Sequence, residues 1–382
     1  MKNKKTIAVI FGGKSAEHDV SIITAHTPII DTLLTLDEYE VIPIYITKEG
    51  LWYSEKQMNY MDYFKGDIQD KFTKLKPLQL SIGEKFSIVL SGMVSKKIDI
   101  DLVFPAMHGT YGEDGSLMGI LRMANVPFVG CDMAASAVAM DKVLTKQVVS
   151  AAGLPVVRYE WLTQNVWEKD RKGFIERASV LQWPLFVKPV HLGSSIAITK
   201  VKDRSELEQA LEVASHYDNK VLVEESVENL IEVTLPIMGN DILTPASIER
   251  PLNKTEFFNF EDKYLSGGKK GSDSGVNNNY SEIPANIPPD LSKEVLKLGK
   301  AVYKVLGCTG IARVDFLIDS KTNQVFVNEV NTLPGSLYHH NWKASGVSNV
   351  DLIQKLIQLA EERFAKDQKV VRTFESSLLK SL

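Results

Sequence analysis

The sequence predicts an α/β protein whose first third is a doubly wound parallel sheet. Three observations predict it. Residues 6–11 form a continuous apolar run, which suits a parallel strand covered on both faces. A stretch of helical length, residues 19–34, separates that run from a second apolar strand at 41–46. A third strand follows at 102–107, completing a βαβ alternation. Ligands on such a sheet sit at the carboxyl ends of its strands. The loops 12–18 and 108–115 both follow strands, so both should reach that edge.

The remaining elements follow in order. Residues 141–152 read as a helix that opens a new region. Residues 185–190 and 195–199 read as paired strands joined by His191-Leu192-Gly193-Ser194. Further strands are expected at 221–225 and 232–237. Residues 266–279 are polar and glycine-rich with no apolar period, as in a lid or binding loop. Strands at 313–318 and 324–330 are joined by a turn over 319–323. An amphipathic helix at 350–364 precedes a weakly patterned tail, and no internal repeat is present.

Composition narrows the function classes. A chain of 382 residues exceeds one ordinary core and suits two or three domains. Hydrophobic residues are 44% and charged residues 24%, which excludes a disordered chain, a collagen-like repeat and a coiled coil. The 44 basic and 48 acidic side chains leave a net charge of −4, so no basic excess points to nucleic acid. Two cysteines, Cys131 and Cys308, cannot build a disulfide framework or a four-cysteine zinc site, and read as reduced thiols of a cytosolic protein. The first apolar run ends at two glycines and falls short of a signal-peptide core of roughly 7–15 residues. No run of about 18 apolar residues exists to span a membrane.

Several motifs carry chemistry. Gly12-Gly13-Lys14-Ser15 invites a Walker A reading, but Ala8 stands where that motif needs its first glycine. Glu17, at a helix start, either caps that helix or binds a cationic amine; the sequence leaves both open. The loop from His108 to Gly115 holds three glycines and two carboxylates, and it follows a buried strand, which favours ligand contact over solvated acids. Lys142 at a helix start is explained equally well as a surface lysine. Lys188, between Val187 and Pro189 in an apolar strand, must snorkel or pair with an anion. The nearby Gly193-Ser194-Ser195 adds backbone N–H groups and hydroxyls, together a reasonable phosphate cradle.

The strongest constellation is late. Arg313 and Asp315 are two apart on one strand, and Glu329 and Asn331 two apart on the next. If the strands pair antiparallel, Asp315, Glu329 and Asn331 become three oxygen ligands suited to Mg²⁺ or Mn²⁺, with Arg313 a permanent cation beside them. An ordinary cross-strand ion pair is the plainer alternative. Thr332-Leu333-Pro334-Gly335 follows and could offer backbone N–H groups to an oxyanion. These residues describe an ATP and metal enzyme without a P-loop.

The order and spacing of these runs resemble the D-alanine–D-alanine ligase family of the ATP-grasp superfamily. The matching runs are Phe-Gly-Gly-Lys-Ser-Ala-Glu-His-Asp-Val-Ser (11–21), His-Gly-Thr-Tyr-Gly-Glu-Asp-Gly (108–115), Met-Asp-Lys (140–142) and Val-Lys-Pro (187–189). They continue with Gly-Ser-Ser (193–195), Lys-Tyr (263–264), Ala-Arg-Val-Asp-Phe (312–316) and Asn-Glu-Val-Asn-Thr-Leu-Pro-Gly (328–335). The resemblance implies a Rossmann-like parallel-sheet domain at 1–135 that binds the first substrate. A two-lobed ATP-grasp part of α+β character follows, its central lobe at 136–236 and its C-terminal lobe at 237–382. The last lobe would carry a closing loop at 259–282 and a metal hairpin at 313–335.

By the same resemblance, Glu17 takes the ammonium of D-alanine, with His108 beside it. Lys142 and Lys188 bind phosphates together with Ser194 and Ser195. Glu224, Glu225 and Val227 hold adenine and Glu232 the ribose. Lys263 and Tyr264 belong to the closing loop, with Tyr264 reaching toward Ser194 and Glu17. Asp315, Glu329 and Asn331 bind two Mg²⁺ or Mn²⁺ ions, and Arg313 and the Gly335 amide stabilise a tetrahedral intermediate. The implied activity is ATP-dependent synthesis of D-alanyl-D-alanine through an acyl phosphate, for peptidoglycan precursors, by a cytoplasmic homodimer. One departure bears on the acceptor. His340 stands where the family usually has a serine, and Asn341 where it has an apolar residue, so Ser336 or His340 would meet the second substrate's carboxylate. D-lactate, D-serine or another amino acid is the alternative acceptor. A non-catalytic nucleotide-binding relative is a further alternative.

Overall fold

The computed structural model describes residues 4–66, 68–92, 95–252, 281–376 and 378–380. The first sheet runs in the order Trp52–Tyr53, Tyr39–Ile46, Lys5–Gly12, Leu102–Pro105. Lys5–Gly12 lies parallel to both Tyr39–Ile46 and Leu102–Pro105, as the continuous apolar runs predict. Alternate residues of that strand enter two different cores. Ile7, Val9 and Phe11 join one core with Leu352, Leu356 and Ile357 of the helix Asn349–Asp367. Ala8 and Ile10 join another with Leu117 and Leu121 of the helix Ser116–Met123.

The helix expected over residues 19–34 is broken. It runs as an α-helix over His18–Thr24, breaks at Thr27 with φ −115° and ψ 110°, and returns to α-helix at Asp31–Leu33. Pro28 is the cause: it lacks an N–H and pushes the residue before it out of the helical region.

The second sheet has the order Thr199–Val201, Leu185–Pro189, Lys220–Glu225, Tyr159–Thr163, all antiparallel. Its apolar face packs Leu185, Val187, Val221 and Val223 against Leu207, Leu211 and Ala214 of the helix Arg204–Tyr217. The strand expected at 195–199 is displaced to Thr199–Val201. Ser194, Ser195 and Ala197 have φ of 53°, 59° and 55°, so the backbone coils there instead of extending into the ladder.

The third sheet has the order Thr244–Pro245, Leu230–Met238, Ile311–Asp319, Gln324–Asn331. The helix Pro289–Val305 covers it, with Val295, Leu298 and Val302 against Leu235, Val314 and Phe316. The last two strands are antiparallel, with Arg313 opposite Asn331 and Asp315 opposite Glu329. The register shifts between Asp315 and Phe316, a bulge beside the predicted ligands.

Gly12 closes the first strand at φ +87°, and a Cβ there would meet the Ile46 carbonyl oxygen at 2.2 Å. Gly12→Ala should therefore cost about 2 kcal/mol or more and displace the turn that carries Glu17; chemical denaturation of the variant checks it.

Candidate functional site

The site is built from loops that follow strand ends. The turn after the first strand is knitted tightly. The Gly12 N–H donates to Ser21 Oγ at 2.7 Å, and Ser21 donates to the Ala106 carbonyl at 2.7 Å. His18 bridges Gly13 O at 2.7 Å and the Tyr45 hydroxyl at 3.0 Å. Burial holds its pKa below the ordinary value, so the neutral ring donates from Nδ1 and accepts at Nε2. Glu17 sits on this turn and is 8% exposed. It makes no side-chain cap to the helix His18–Thr24. Instead its Oε1 accepts from the Ser194 hydroxyl. A Cβ at either Gly109 or Gly193 would lie 3.0 Å from Glu17 Oε2, so both glycines make room for this carboxylate.

The loop at 108–115 divides its acids. Asp114 accepts from the Tyr111 and Ser116 backbone N–H groups and shapes the turn. Glu113 is buried, accepts from the Gly109 N–H at 2.7 Å, and places Oε1 3.6 Å from His108 Nδ1. His108 Nε2 lies 2.8 Å from Thr24 Oγ1, which also accepts from the Ser336 N–H at 2.9 Å. Thr24 thus joins two predicted substrate contacts, and nothing in its local sequence marks it.

The lysines gather behind the second sheet. Asp141 caps the helix Lys142–Ala151 through the Val143 and Leu144 N–H groups. Lys142 is largely buried rather than a surface lysine. Its Nζ donates to Leu192 O at 2.7 Å and lies 3.7 Å from Glu329 Oε2. Lys188 pairs with Glu224 Oε1. Lys146, which the sequence reading passed over, lies 2.8 Å from Glu224 Oε2, and both of those side chains are 1% exposed. A signal existed: Lys142 and Lys146 are four apart and share a helix face. Burial disfavours the Glu224 charge, but the two ammonium groups outweigh it and hold its pKa down to about 2. Burial likewise opposes the Lys188 charge, and Glu224 overcomes it. Glu225 is held by the Arg158 guanidinium at 3.0 Å and the Gln182 N–H at 2.9 Å. Val227 and Glu232 are half-buried, flanking the turn into the strand Leu230–Met238.

On the hairpin, Arg313 grips Asp315 with two contacts, Nε to Oδ1 at 2.7 Å and Nη2 to Oδ2 at 2.5 Å. Arg313 Nη2 is also 3.9 Å from Glu329 Oε1. Burial opposes the guanidinium charge, but Asp315 more than restores it. The Tyr338 ring lies 4.8 Å from the guanidinium carbon. Asn331 Oδ1 accepts from the Leu333 N–H at 3.0 Å. The donor set fits a hard divalent ion: two carboxylates opposite one another across the ladder, with an amide oxygen two residues on. Among the described residues no group of three His, Cys, Asp or Glu side chains converges. A bound ion would therefore complete its shell with Asn331, water and phosphate oxygens.

After Gly335 the chain takes three left-handed residues in a row, Ser336, Leu337 and Tyr338, at φ 46°, 53° and 51°. The buried Leu337 side chain anchors them in the first core. His340 Nε2 reaches Glu249 Oε2 at 3.1 Å, and its side chain is 46% exposed. Asn341 turns the other way, fully buried, and donates to Ser247 O at 3.0 Å. Of the two unusual positions, only His340 is exposed. Lys263, Tyr264 and the loop around them lie outside the described residues.

Residues 6–131 match the family model of the D-ala D-ala ligase N-terminus, and residues 148–358 that of the D-ala D-ala ligase C-terminus. The chain belongs to the D-alanine–D-alanine ligase family. A D-alanine–D-alanine ligase of Thermosipho melanesiensis is 38% identical over 376 residues, covering 98% of each chain. One from Chlorobium phaeovibrioides is 37% identical over 370 residues, covering 94% of this chain and 97% of its own. Among solved structures, the D-alanine-D-alanine ligase from Coxiella burnetii superposes with TM-score 0.80 at 30% identity, covering 96% of this chain and 97% of that one. The VanG D-Ala:D-Ser ligase of Enterococcus faecalis superposes with TM-score 0.77 at 32% identity, covering 94% and 100%. The α/β architecture read from the sequence is the family's, and the chain is an ATP-dependent ligase.

Glu224→Gln would leave the Lys146 and Lys188 ammonium groups without a counter-charge. It should lower stability by about 3–5 kcal/mol, read from the midpoint of urea unfolding. In the native chain the depressed Glu224 pKa contributes stability above its unfolded value, and that contribution is lost as pH falls toward about 2.

Proposed function

We propose that the chain joins two D-alanines into D-alanyl-D-alanine, converting ATP to ADP and phosphate, to supply peptidoglycan precursors. The observation that carries the reading is Glu17. A buried carboxylate at a sheet edge accepts from Ser194, on the glycine-serine loop that also reaches Lys142 through Leu192. An amino-acid site and a phosphate site thereby share one wall.

In this reading Glu17 takes the ammonium of the first D-alanine, with His108 beside it. Lys142, Lys188, Ser194 and Ser195 hold the phosphates, and Lys263 and Tyr264 close over them. Glu225, Val227 and the Glu224 backbone meet adenine, because the Glu224 carboxylate is committed to two lysines. Glu232 meets the ribose. Asp315, Glu329 and Asn331 would hold two Mg²⁺ or Mn²⁺ ions, which would offset phosphate charge. The first D-alanine's carboxylate oxygen attacks the γ-phosphorus, ADP leaves, and an acyl phosphate forms. Positioning and electrostatics supply most of this step. The second D-alanine's amine then attacks the acyl carbon. Phosphate leaves and the amine loses a proton. Arg313 and the Gly335 N–H face the oxyanion of that step. Ser336 and His340 offer donors to the second carboxylate.

The division into domains at 1–135, 136–236 and 237–382 belongs to the same reading, as do a homodimeric state and a cytoplasmic location. Among the described residues no helix is long and apolar enough to cross a membrane.

Incubation with ATP, Mg²⁺ and D-alanine should release phosphate and give D-alanyl-D-alanine by mass spectrometry. D-serine and D-lactate run in parallel should be poor acceptors; a preferred mixed product would move the second substrate to one of them. Arg313→Ala should abolish dipeptide synthesis while ATP binding stays near normal. Retained synthesis would remove Arg313 from the oxyanion role.

A further inference from the structure

We propose that His191 is a positioning residue whose imidazolium locks the glycine-serine loop to the start of the Lys142 helix. The inference rests on the phosphate-binding reading of that loop. His191 stands between the strand Leu185–Pro189 and Gly193-Ser194-Ser195, and its ring lies between carboxylates from two other segments. Nδ1 is 3.0 and 3.1 Å from the two Asp218 oxygens. Nε2 is 3.4 Å from Asp141 Oδ2. The His191 backbone N–H also donates to Asp218 at 2.6 Å.

The other charged group in this knot is Lys220, whose Nζ contacts Asp141 at 2.8 Å and whose backbone N–H donates to Asp218 at 3.1 Å. Lys142 lies one residue along, on the Leu192 carbonyl. Two carboxylates and one ammonium leave a net negative charge, and the ring supplies the missing cation. A neutral ring has one N–H, so its bare nitrogen would face a carboxylate lone pair. The hydrogen bonds that the ring donates to Asp141 and then to Asp218 raise the His191 pKa to about 9, against the cost of burial.

The consequence is mechanical. Asp141 caps the helix that carries Lys142, and His191 ties that cap to the loop whose next carbonyl Lys142 holds. Ser194, three residues on, holds Glu17. Loss of the imidazolium charge therefore loosens the phosphate side and the amino-acid side together. The folded pKa is above the unfolded value, so the contribution is complete below about pH 6.5 and is lost as pH rises through about 9.

The test is ATP affinity with Mg²⁺ and no amino acid, measured calorimetrically from about pH 6.5 to about pH 10. The native chain should bind more weakly as pH passes about 9. His191→Gln should bind about tenfold more weakly at neutral pH and show no step there. Asp218→Asn keeps the ring but removes one partner, so its alkaline step should move to lower pH. Thermal melts establish that each variant is folded at the pH used. Unchanged affinity with the same step in His191→Gln, or an unmoved step in Asp218→Asn, overturns the role of His191 alone. A native chain that binds no ATP at any pH overturns the phosphate reading and this inference with it.

Discussion

The carboxylate of Glu224 lies between the Lys146 and Lys188 ammonium groups, almost wholly out of water. Three elements meet there: the helix Lys142–Ala151 and the strands Leu185–Pro189 and Lys220–Glu225. Removing charges from water costs several kcal/mol per ion, so such a cluster contributes little net stability compared with apolar packing. What it contributes is placement. Lys188 cannot swing to solvent while Glu224 holds it, and Glu224 cannot be held on one side only. The helix that supplies Lys146 also presents Lys142 at its first turn, so one rigid body sets both cations.

A second charged centre lies beside this one. Arg313 and Asp315 form a two-pronged pair, and Glu329 stands between Arg313 and Lys142. The two centres are thus joined through Glu329, with positive and negative groups interleaved. Each carboxylate that would face a metal ion is near a cation of the protein. Arrival of nucleotide and metal would exchange these partners rather than expose bare charge, which keeps the reorganisation small.

Much of this was legible in the sequence, for physical reasons. The apolar run at 6–11 suited a parallel strand covered on both faces, and Ile7 to Phe11 are buried in one. The two-residue spacings in Arg313/Asp315 and Glu329/Asn331 put four polar groups on one face of a hairpin, and the register places them opposite one another. The break in the helix expected over 19–34 was not read, although Pro28, which causes it, stands in the sequence. Other features were not legible. Ser195 and Ala197 adopt left-handed backbone that no side chain announces. Thr24 matters only because loops distant in sequence end beside it. Glu17 had two local explanations; it makes no cap to its helix, and its carboxylate meets a serine 177 positions away. Local pattern reports periodicity and burial; it does not report which distant loop arrives at a strand end.

The helix Asn349–Asp367 lies against the sheet made by the first strands, and Lys5 pairs with Glu361 across that contact. During synthesis on a ribosome, the face carrying Ile7, Val9 and Phe11 emerges long before its cover. Ile22, Ile29 and Leu33 can cover part of it early, but the cover is completed only when residues beyond 349 have left the exit tunnel. Contacts of such sequence separation carry a large loop-closure cost and make folding slow. The first sheet to be made is therefore among the last to be sealed, and a nascent chain halted midway would present the uncovered part of this core to chaperones.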